Sequence, residues 1–98
     1  MDNELTPDEI FDALGHNHRR HALSALMDCD GATTVTKLAE KTGRRIDASP
    51  DRIKAGLHHS HLPRLEGMGV VNYDMNAGTV ELTTAANDLQ PFVELAEE

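Results

Sequence analysis

Apolar residues return every three or four positions over most of the chain, and this spacing predicts amphipathic helices. The spacing occurs in residues 7–14, 17–27, 36–41, 50–66 and 85–97. Two short runs, residues 70–74 and 79–83, are instead rich in β-branched and aromatic side chains, which predicts strands. The intervening Met75-Asn76-Ala77-Gly78 is typical of a tight hairpin. The pattern therefore predicts helices first, then a two-stranded hairpin, then a last helix.

Residues that favour helix ends indicate where these helices begin and stop. The expected N-cap residues are Thr6, Asn17, Thr36 and Ser49. The expected stops are Gly15, Gly43 and Gly67. Residues 44–48 should then form a basic turn. Because Pro63 has no amide N–H, we expect helix 50–66 to loosen one turn earlier. Because Pro91 lies inside helix 85–97 and has no backbone N–H, the sequence does not decide where this helix begins.

The order of the predicted elements defines the expected fold. A short β-prone stretch, residues 33–35, lies between the second and third helices. Helix, helix, short strand, helix, turn, helix, hairpin, helix is the order of a winged helix-turn-helix domain. We therefore predict one domain over residues 1–98, mainly α with a small β-hairpin (α+β), with the helix-turn-helix at 36–66 and the wing at 70–83.

The distribution of charge matters more than its sum. The net charge is −8, which opposes binding to a polyanion. All nine basic residues, however, lie between positions 19 and 64 with only five acids, so that this segment carries +4. A basic centre between acidic ends fits a nucleic-acid-binding face, although an acidic protein with clustered basic residues would look the same. The acid excess, three lysines and three aromatics predict a halophilic origin.

The sequence also argues against several classes of protein. No apolar run approaches the ~18 residues of a membrane span, and the N-terminus is acidic where a signal peptide would be basic, so we expect a cytoplasmic protein without membrane contact. The single cysteine, Cys29, lies between two aspartates, and we expect no nearby cation that would stabilise its thiolate and therefore no special role. Glycine-rich phosphate loops, nucleophile elbows and paired-carboxylate sites are missing, so we predict neither an enzyme nor a cofactor.

Several segments together resemble a known family. They are Ile10-Phe11-Asp12-Ala13-Leu14, His18-Arg19-Arg20-His21-Ala22-Leu23, Leu57-His58-His59-Ser60-His61-Leu62-Pro63-Arg64-Leu65-Glu66 and Gly69-Val70-Val71-Asn72-Tyr73-Asp74. The chain resembles, over roughly residues 8 to 83, a family of small winged-helix proteins of halophilic archaea that is classed as a domain of unknown function. More distantly it is similar to arsenical-resistance-type repressors. The resemblance implies a DNA-binding fold, and His-x-x-His-Leu-Pro is its most distinctive part.

In a helix-turn-helix protein, the second helix of the motif lies in the major groove. Stepping 100° per residue along helix 50–66 places Ile53, Leu57 and Leu65 on the buried side. The opposite side then presents Arg52 to a guanine, Ala55 to a thymine methyl group and His59 to a base or phosphate.

The remaining predicted DNA contacts position the protein on the phosphate backbone. His58 lies on the flank of the same helix. The basic residues before it, Arg44 and Arg45 in the turn and Lys37 and Lys41 on the preceding helix, should hold phosphates. The alternative interpretation is a solvated basic face.

Three histidines close together in sequence raise the question of a metal site. His58 and His61 are three residues apart, a spacing that allows a shared ion, although we predict no metal. His61 also falls on the apolar stripe, and we expect it to be a core residue bonded to the backbone carbonyl of His59 that Pro63 leaves without a donor. His16, His18 and His21 are the other histidines, and the sequence does not say whether they approach.

The sequence therefore predicts a sequence-specific, double-stranded DNA-binding transcriptional regulator. The hairpin tip, residues 74–78, has no basic residue, so the wing is not an expected DNA contact. The amphipathic terminal helices suggest a homodimer, or else they cover the monomer's own core. The competing hypothesis is a winged-helix protein–protein interaction module without direct DNA binding, with another protein as its partner.

Overall fold

The computed structural model describes residues 5, 6, 8 and 16–96. Its elements are α1 (Asn17–Met27), β1 (Thr33–Thr34), α2 (Val35–Ile46), α3 (Pro50–Gly56), a π-helical turn (Leu57–His61), α4 (Leu62–Gly67), β2 (Val71–Asp74), β3 (Thr79–Leu82), a 3-10 helix (Thr84–Asp88) and α5 (Gln90–Ala96). The protein is thus mainly helical with a small antiparallel sheet, which confirms the α+β prediction. The predicted helix 7–14 lies, apart from Asp8, outside the described residues.

Helix α1 has the predicted bounds but a different cap. The N-cap residue is His16, whose Nδ1 accepts the backbone N–H of His18 at 3.1 Å. The predicted cap, Asn17, is instead the first helical residue, and its Oδ1 accepts a hydrogen bond from Arg20 Nη2 at 2.9 Å. An imidazole nitrogen can accept one N–H in the same way as the usual hydroxyl or carboxylate caps.

Helix α2 begins earlier and ends later than predicted. Thr34, not Thr36, is its cap, since Thr34 Oγ1 accepts the N–H of Lys37 at 3.1 Å. The helix passes through Gly43 and ends at Asp47, which has the left-handed conformation (φ 54°). Gly43 is required for another reason: a Cβ there would lie 2.8 Å from the carbonyl oxygen of Ala48.

The predicted basic turn over residues 44–48 is therefore wrong. Arg44 and Arg45 lie in the last turn of α2, where the helix dipole favours positive charge. The connection to the next helix is short and ends at Ser49, which takes the N-cap position without a side-chain hydrogen bond.

Helix α3, the π-helical turn and α4 follow one another without a break, and we call them together the long helix (residues 50–67). Pro50 lies in its first turn, as predicted. Just before Pro63 the backbone widens, and the N–H of Leu62 bonds to the carbonyl of Leu57, five residues back. The predicted loosening one turn before Pro63 is confirmed, because the missing N–H and the ring of proline disturb the α-helical ladder there.

The sheet has the strand order β1-β3-β2, with both pairs antiparallel. Thr33 lies opposite Val80, and Val71 opposite Leu82. The predicted hairpin is confirmed. In its turn, Asp74 Oδ1 accepts the backbone N–H groups of Asn76 and Ala77, and Gly78 has a positive φ of 70° that suits glycine. The sheet thus ties the start of α2 to the end of the hairpin.

The C-terminal segment differs from the predicted single helix 85–97. A 3-10 helix precedes α5, and Pro91 lies in the first turn of α5, where no N–H is needed. Leu89 and Val93 are buried, but Phe92 is 44% and Leu95 65% exposed. Part of the predicted apolar face therefore lies on the surface.

One hydrophobic core joins these elements, with contributions from α1, α2, the long helix, the hairpin and α5. Its largest fully buried side chains are Leu23, Leu26, Leu38, Ile53, Leu57, Leu62, Leu65 and Leu89. Among the described residues, no helix has the length and apolar character needed to cross a membrane.

Candidate nucleic-acid interface

The long helix has the two faces that its sequence predicts. Ile53, Leu57 and Leu65 are completely buried. Arg52 and Ala55, on the α3 part of the helix, are exposed. His59, in the π-helical turn, is exposed as well. The side chains that were expected to face a groove are therefore accessible.

Three cationic side chains on α2 and the long helix are exposed as well. Lys37 and Arg44 on α2 and Arg52 on the long helix are exposed. Within residues 16–96, no hydrogen bond or ion pair involves the ammonium of Lys37 or either guanidinium. Their charges are thus available to an anionic partner.

Two other predicted phosphate contacts, Arg45 and Lys41, have partners inside the molecule. Arg45 Nη2 forms an ion pair with Asp28 Oδ2 at 3.0 Å. Lys41 Nζ lies 3.5 Å from Cys29 Sγ. The expectation that Cys29 has no cation near it is wrong, because the lysine reaches it from α2 across the connection between the helices.

His58 is held in place by the hairpin. Its Nδ1 is hydrogen-bonded to the hydroxyl of Tyr73 on β2. Burial raises the pKa of Tyr73, and the carboxylate of Glu66 raises it further. The phenol therefore keeps its proton near pH 7 and can donate a hydrogen bond to Nδ1 of His58. In that arrangement the other ring nitrogen, Nε2, is left to carry an N–H. No sequence signal links these two residues, which lie fifteen positions apart.

His61 is a core residue, as predicted, but its partner differs. It is 6% exposed. Its Nδ1 lies 3.5 Å from Arg19 Nη1 on α1, whereas the predicted partner was the backbone carbonyl of His59. The spacing of His58 and His61 would have allowed a shared ion, but the structure directs the two side chains to different partners, His58 to Tyr73 on β2 and His61 to α1.

The structure instead brings His61 together with two histidines at the start of α1. One ring nitrogen of each of His16, His18 and His61 lies within 4.8 Å of the others. Burial lowers the pKa of His61 from 6.5 to about 4, with further lowering by His16, Arg19, His18 and Arg64. Burial also lowers the pKa of His16, and the charges of Arg19 and His18 lower it further. The imidazoles of His16 and His61 are therefore neutral near pH 7.

Fold and surface together define a small α+β domain with exposed cationic side chains on two packed helices. Residues 11–81 match the family described as a domain of unknown function, DUF7344. Because the match covers most of the chain, the protein belongs to this family. The resemblance to a family of unknown function is confirmed to that extent. Searches of the curated proteins and of the solved structures gave no significant match.

Proposed function

We propose that the protein is a winged helix-turn-helix regulator that binds double-stranded DNA, with the long helix as its recognition helix. In this interpretation α1, α2 and the long helix are the three helices of the domain, and β2 and β3 are its wing. The antiparallel pairing of β1 with the hairpin strand β3 supports this assignment. A DNA-binding protein of this kind contacts base edges from the first turns of its second motif helix.

The observation that carries the proposal is a set of exposed cations on two successive helices, Lys37, Arg44 and Arg52, which we call the cationic face. None of the three has a hydrogen-bond or ion-pair partner among the described residues. Lys37 and Arg44 would contact phosphates and fix the register on the duplex. Arg52 and Ala55, in the first turns of the long helix, would meet base edges, Arg52 at a guanine and Ala55 at a thymine methyl group. His59 would donate to a base or phosphate. Arg45 and Lys41 have a secondary role, because each already contacts a neighbour.

His58 would add a directed hydrogen-bond donor to this surface. With Tyr73 as the donor to Nδ1, the Nε2–H group of His58 would be the donor left for an outside acceptor such as a phosphate oxygen. The hairpin would then contribute through Tyr73, which orients a side chain on the recognition helix, even though its own tip has no basic residue.

Replacing Tyr73 by phenylalanine should weaken DNA binding about 2- to 10-fold, the effect of one lost hydrogen bond. The phenyl ring preserves the packing of the side chain, while His58 loses the donor that orients it. Binding is measured by fluorescence polarisation on the selected operator, and thermal unfolding reports on the fold. Asn72→Ala, an exposed neighbour on the same strand, is the matched control. Equal affinities of Tyr73→Phe and wild type would contradict the role of His58.

Salt constrains the mechanism of such an acidic protein. If four phosphates are contacted, a tenfold rise in salt lowers the affinity by about 10^3.6, from a slope of roughly −0.9 per phosphate. In the salty cytoplasm that we propose for a halophilic organism, phosphate contacts alone would not suffice. Base contacts and two recognition helices in a homodimer would supply the remaining affinity. The exposed Phe92 and Leu95 on α5 support a self-association face.

A protein–protein interaction module without DNA binding is the second candidate. It is favoured by Met75, which is 69% exposed at a hairpin tip that carries no positive charge. Exposed apolar residues at such a tip suit a protein partner better than a phosphate backbone.

A selection experiment distinguishes the two candidates. Untagged protein is incubated with fragments of its source genome at several KCl concentrations up to the molar range, and the bound fragments are sequenced and titrated. The DNA-binding proposal expects an enriched sequence whose affinity exceeds that of random DNA by at least about 1,000-fold. No sequence preference at any salt concentration, with another protein co-purifying at a fixed ratio, would support the interaction module instead.

A further inference from the structure

We propose that His16, His18 and His61 form a binding site for a divalent transition-metal ion, which displaces the guanidinium of Arg19 from His61. The site lies between the start of α1 and the π-helical turn of the long helix. It does not overlap the exposed cationic face, so its existence does not depend on the proposed DNA binding.

The three imidazoles already lie close to metal-binding geometry. Their ring centroids are 5.2 Å apart for His16 and His18, 4.6 Å for His16 and His61, and 6.0 Å for His18 and His61. One nitrogen of each lies within 4.8 Å of the others. Nitrogens that share a tetrahedral zinc ion at about 2.0–2.1 Å are about 3.3 Å apart. Small side-chain rotations would close this difference, and His16 and His18 lie at the surface end of the cluster where such rotations are least restricted.

A cation already occupies part of this cluster. Arg19 is 9% exposed, and its Nη1 lies 3.5 Å from Nδ1 of His61, so that the imidazole directs a lone pair at a positive charge. A metal ion would use the same lone pair. It would also compete with the N–H of His18 for Nδ1 of His16, or else take the opposite nitrogen of that ring. Metal binding therefore replaces hydrogen-bond donors at the ring nitrogens by a metal ion.

The donor set indicates which ions the site would take. All three ligands are imidazoles, and no carboxylate or thiolate within the described part of the chain joins the group. Imidazole suits zinc, copper and nickel, whereas magnesium and calcium require oxygen ligands. Three protein ligands leave one tetrahedral position for water.

Metal binding would connect two elements that are distant in sequence. His16 caps α1, and His61 ends the π-helical turn of the long helix. An ion held by both would fix the position of the long helix against α1 and stabilise the folded state, since the unfolded chain does not hold the three ligands together.

Equilibrium dialysis of untagged, chelator-treated protein against zinc tests the proposal, and cobalt absorption reports the coordination geometry. We expect one ion per chain and a rise in the midpoint of thermal unfolding. His18→Ala and His16→Asn should each weaken zinc binding by at least about tenfold, because each removes one of three ligands. Asparagine is chosen at position 16 because it can still cap α1. Arg19→Met, which removes the competing cation, should bind zinc more tightly than wild type.

The exposed His59, which lies outside the cluster, provides the matched control, and His59→Ala should bind zinc as wild type does. The variants at positions 16 and 18 avoid the buried His61, so a loss of binding is separable from a failure to fold. No stoichiometric zinc in either wild type or Arg19→Met would overturn the proposal. So would wild-type affinity in both ligand variants, and an Arg19→Met variant that binds no tighter than wild type would overturn the displacement of Arg19.

Discussion

Replacing Arg44 and Arg52 together by alanine is expected to weaken binding to the selected operator by roughly 30- to 300-fold. An arginine that forms a bidentate pair with a guanine contributes about 1–3 kcal/mol of discrimination, and the loss of a phosphate contact adds to it. Both guanidinium groups are exposed and have no ion-pair partner among the described residues, so their loss breaks no ion pair within that part of the chain. Polarisation titrations at fixed KCl concentration measure the change.

The two single variants should differ in kind. Arg52→Ala should relax the preference at one base pair, whereas Arg44→Ala should weaken all sequences alike and reduce the salt slope by about 0.9. If Arg52→Ala and His59→Ala leave specific binding untouched while Arg44→Ala abolishes it, the assignment of the long helix to the groove is wrong.

A matched control separates local contacts from net charge. Thr84→Asp with Asn87→Asp lowers the net charge by two, as the double arginine variant does, at positions of the 3-10 helix outside the cationic face. This control should reduce affinity only slightly. An equal loss in both double variants would show that total charge, rather than the cationic face, governs binding.

Local sequence signals were sufficient for much of the fold. The apolar spacing gave the bounds of α1, and the hairpin followed from two β-branched runs around a turn that ends in Gly78. The disturbance before Pro63 followed from the chemistry of one residue. In each case the determining interaction lies within a short stretch of the chain, so the sequence contains it.

The wrong predictions share the opposite property. Gly43 looks like a helix stop, but it is needed because the carbonyl of Ala48 folds back against it after the helix has ended. The cation beside Cys29 is the ammonium group of Lys41, which reaches the thiol because α2 packs on α1. Such contacts cannot be predicted from the spacing of residues along the sequence.

The histidine cluster shows the same limit for the candidate sites. The sequence pairs His61 with His58 because they are three residues apart, but the π-helical turn and the core direct His61 towards α1. Its partners, His16 and His18, lie more than forty positions away. The faces of the long helix, in contrast, were predictable because they depend on helical periodicity alone.

The buried imidazole of His61 makes the stability of the metal-free protein depend on pH. Its pKa falls from the ordinary 6.5 of an unfolded chain to about 4 in the folded state, mainly through burial and then through the charges of His16, Arg19, His18 and Arg64. Below pH 6.5 the unfolded state therefore binds a proton that the folded state does not. The free energy of unfolding should fall by about 1.4 kcal/mol per pH unit between pH 6.5 and 4, on the order of 3 kcal/mol in total.

Denaturant unfolding at several pH values, with chelator and molar KCl present, measures this effect as a difference between variants. His61→Leu places an apolar side chain in the core and removes the titrating group, so its stability should change less over the same pH range than that of wild type. His59→Ala, at an exposed position, should keep the wild-type slope. If His61→Leu loses stability as steeply as wild type between pH 6.5 and 4, protonation of other groups dominates, and His61 is not the origin of the acid sensitivity.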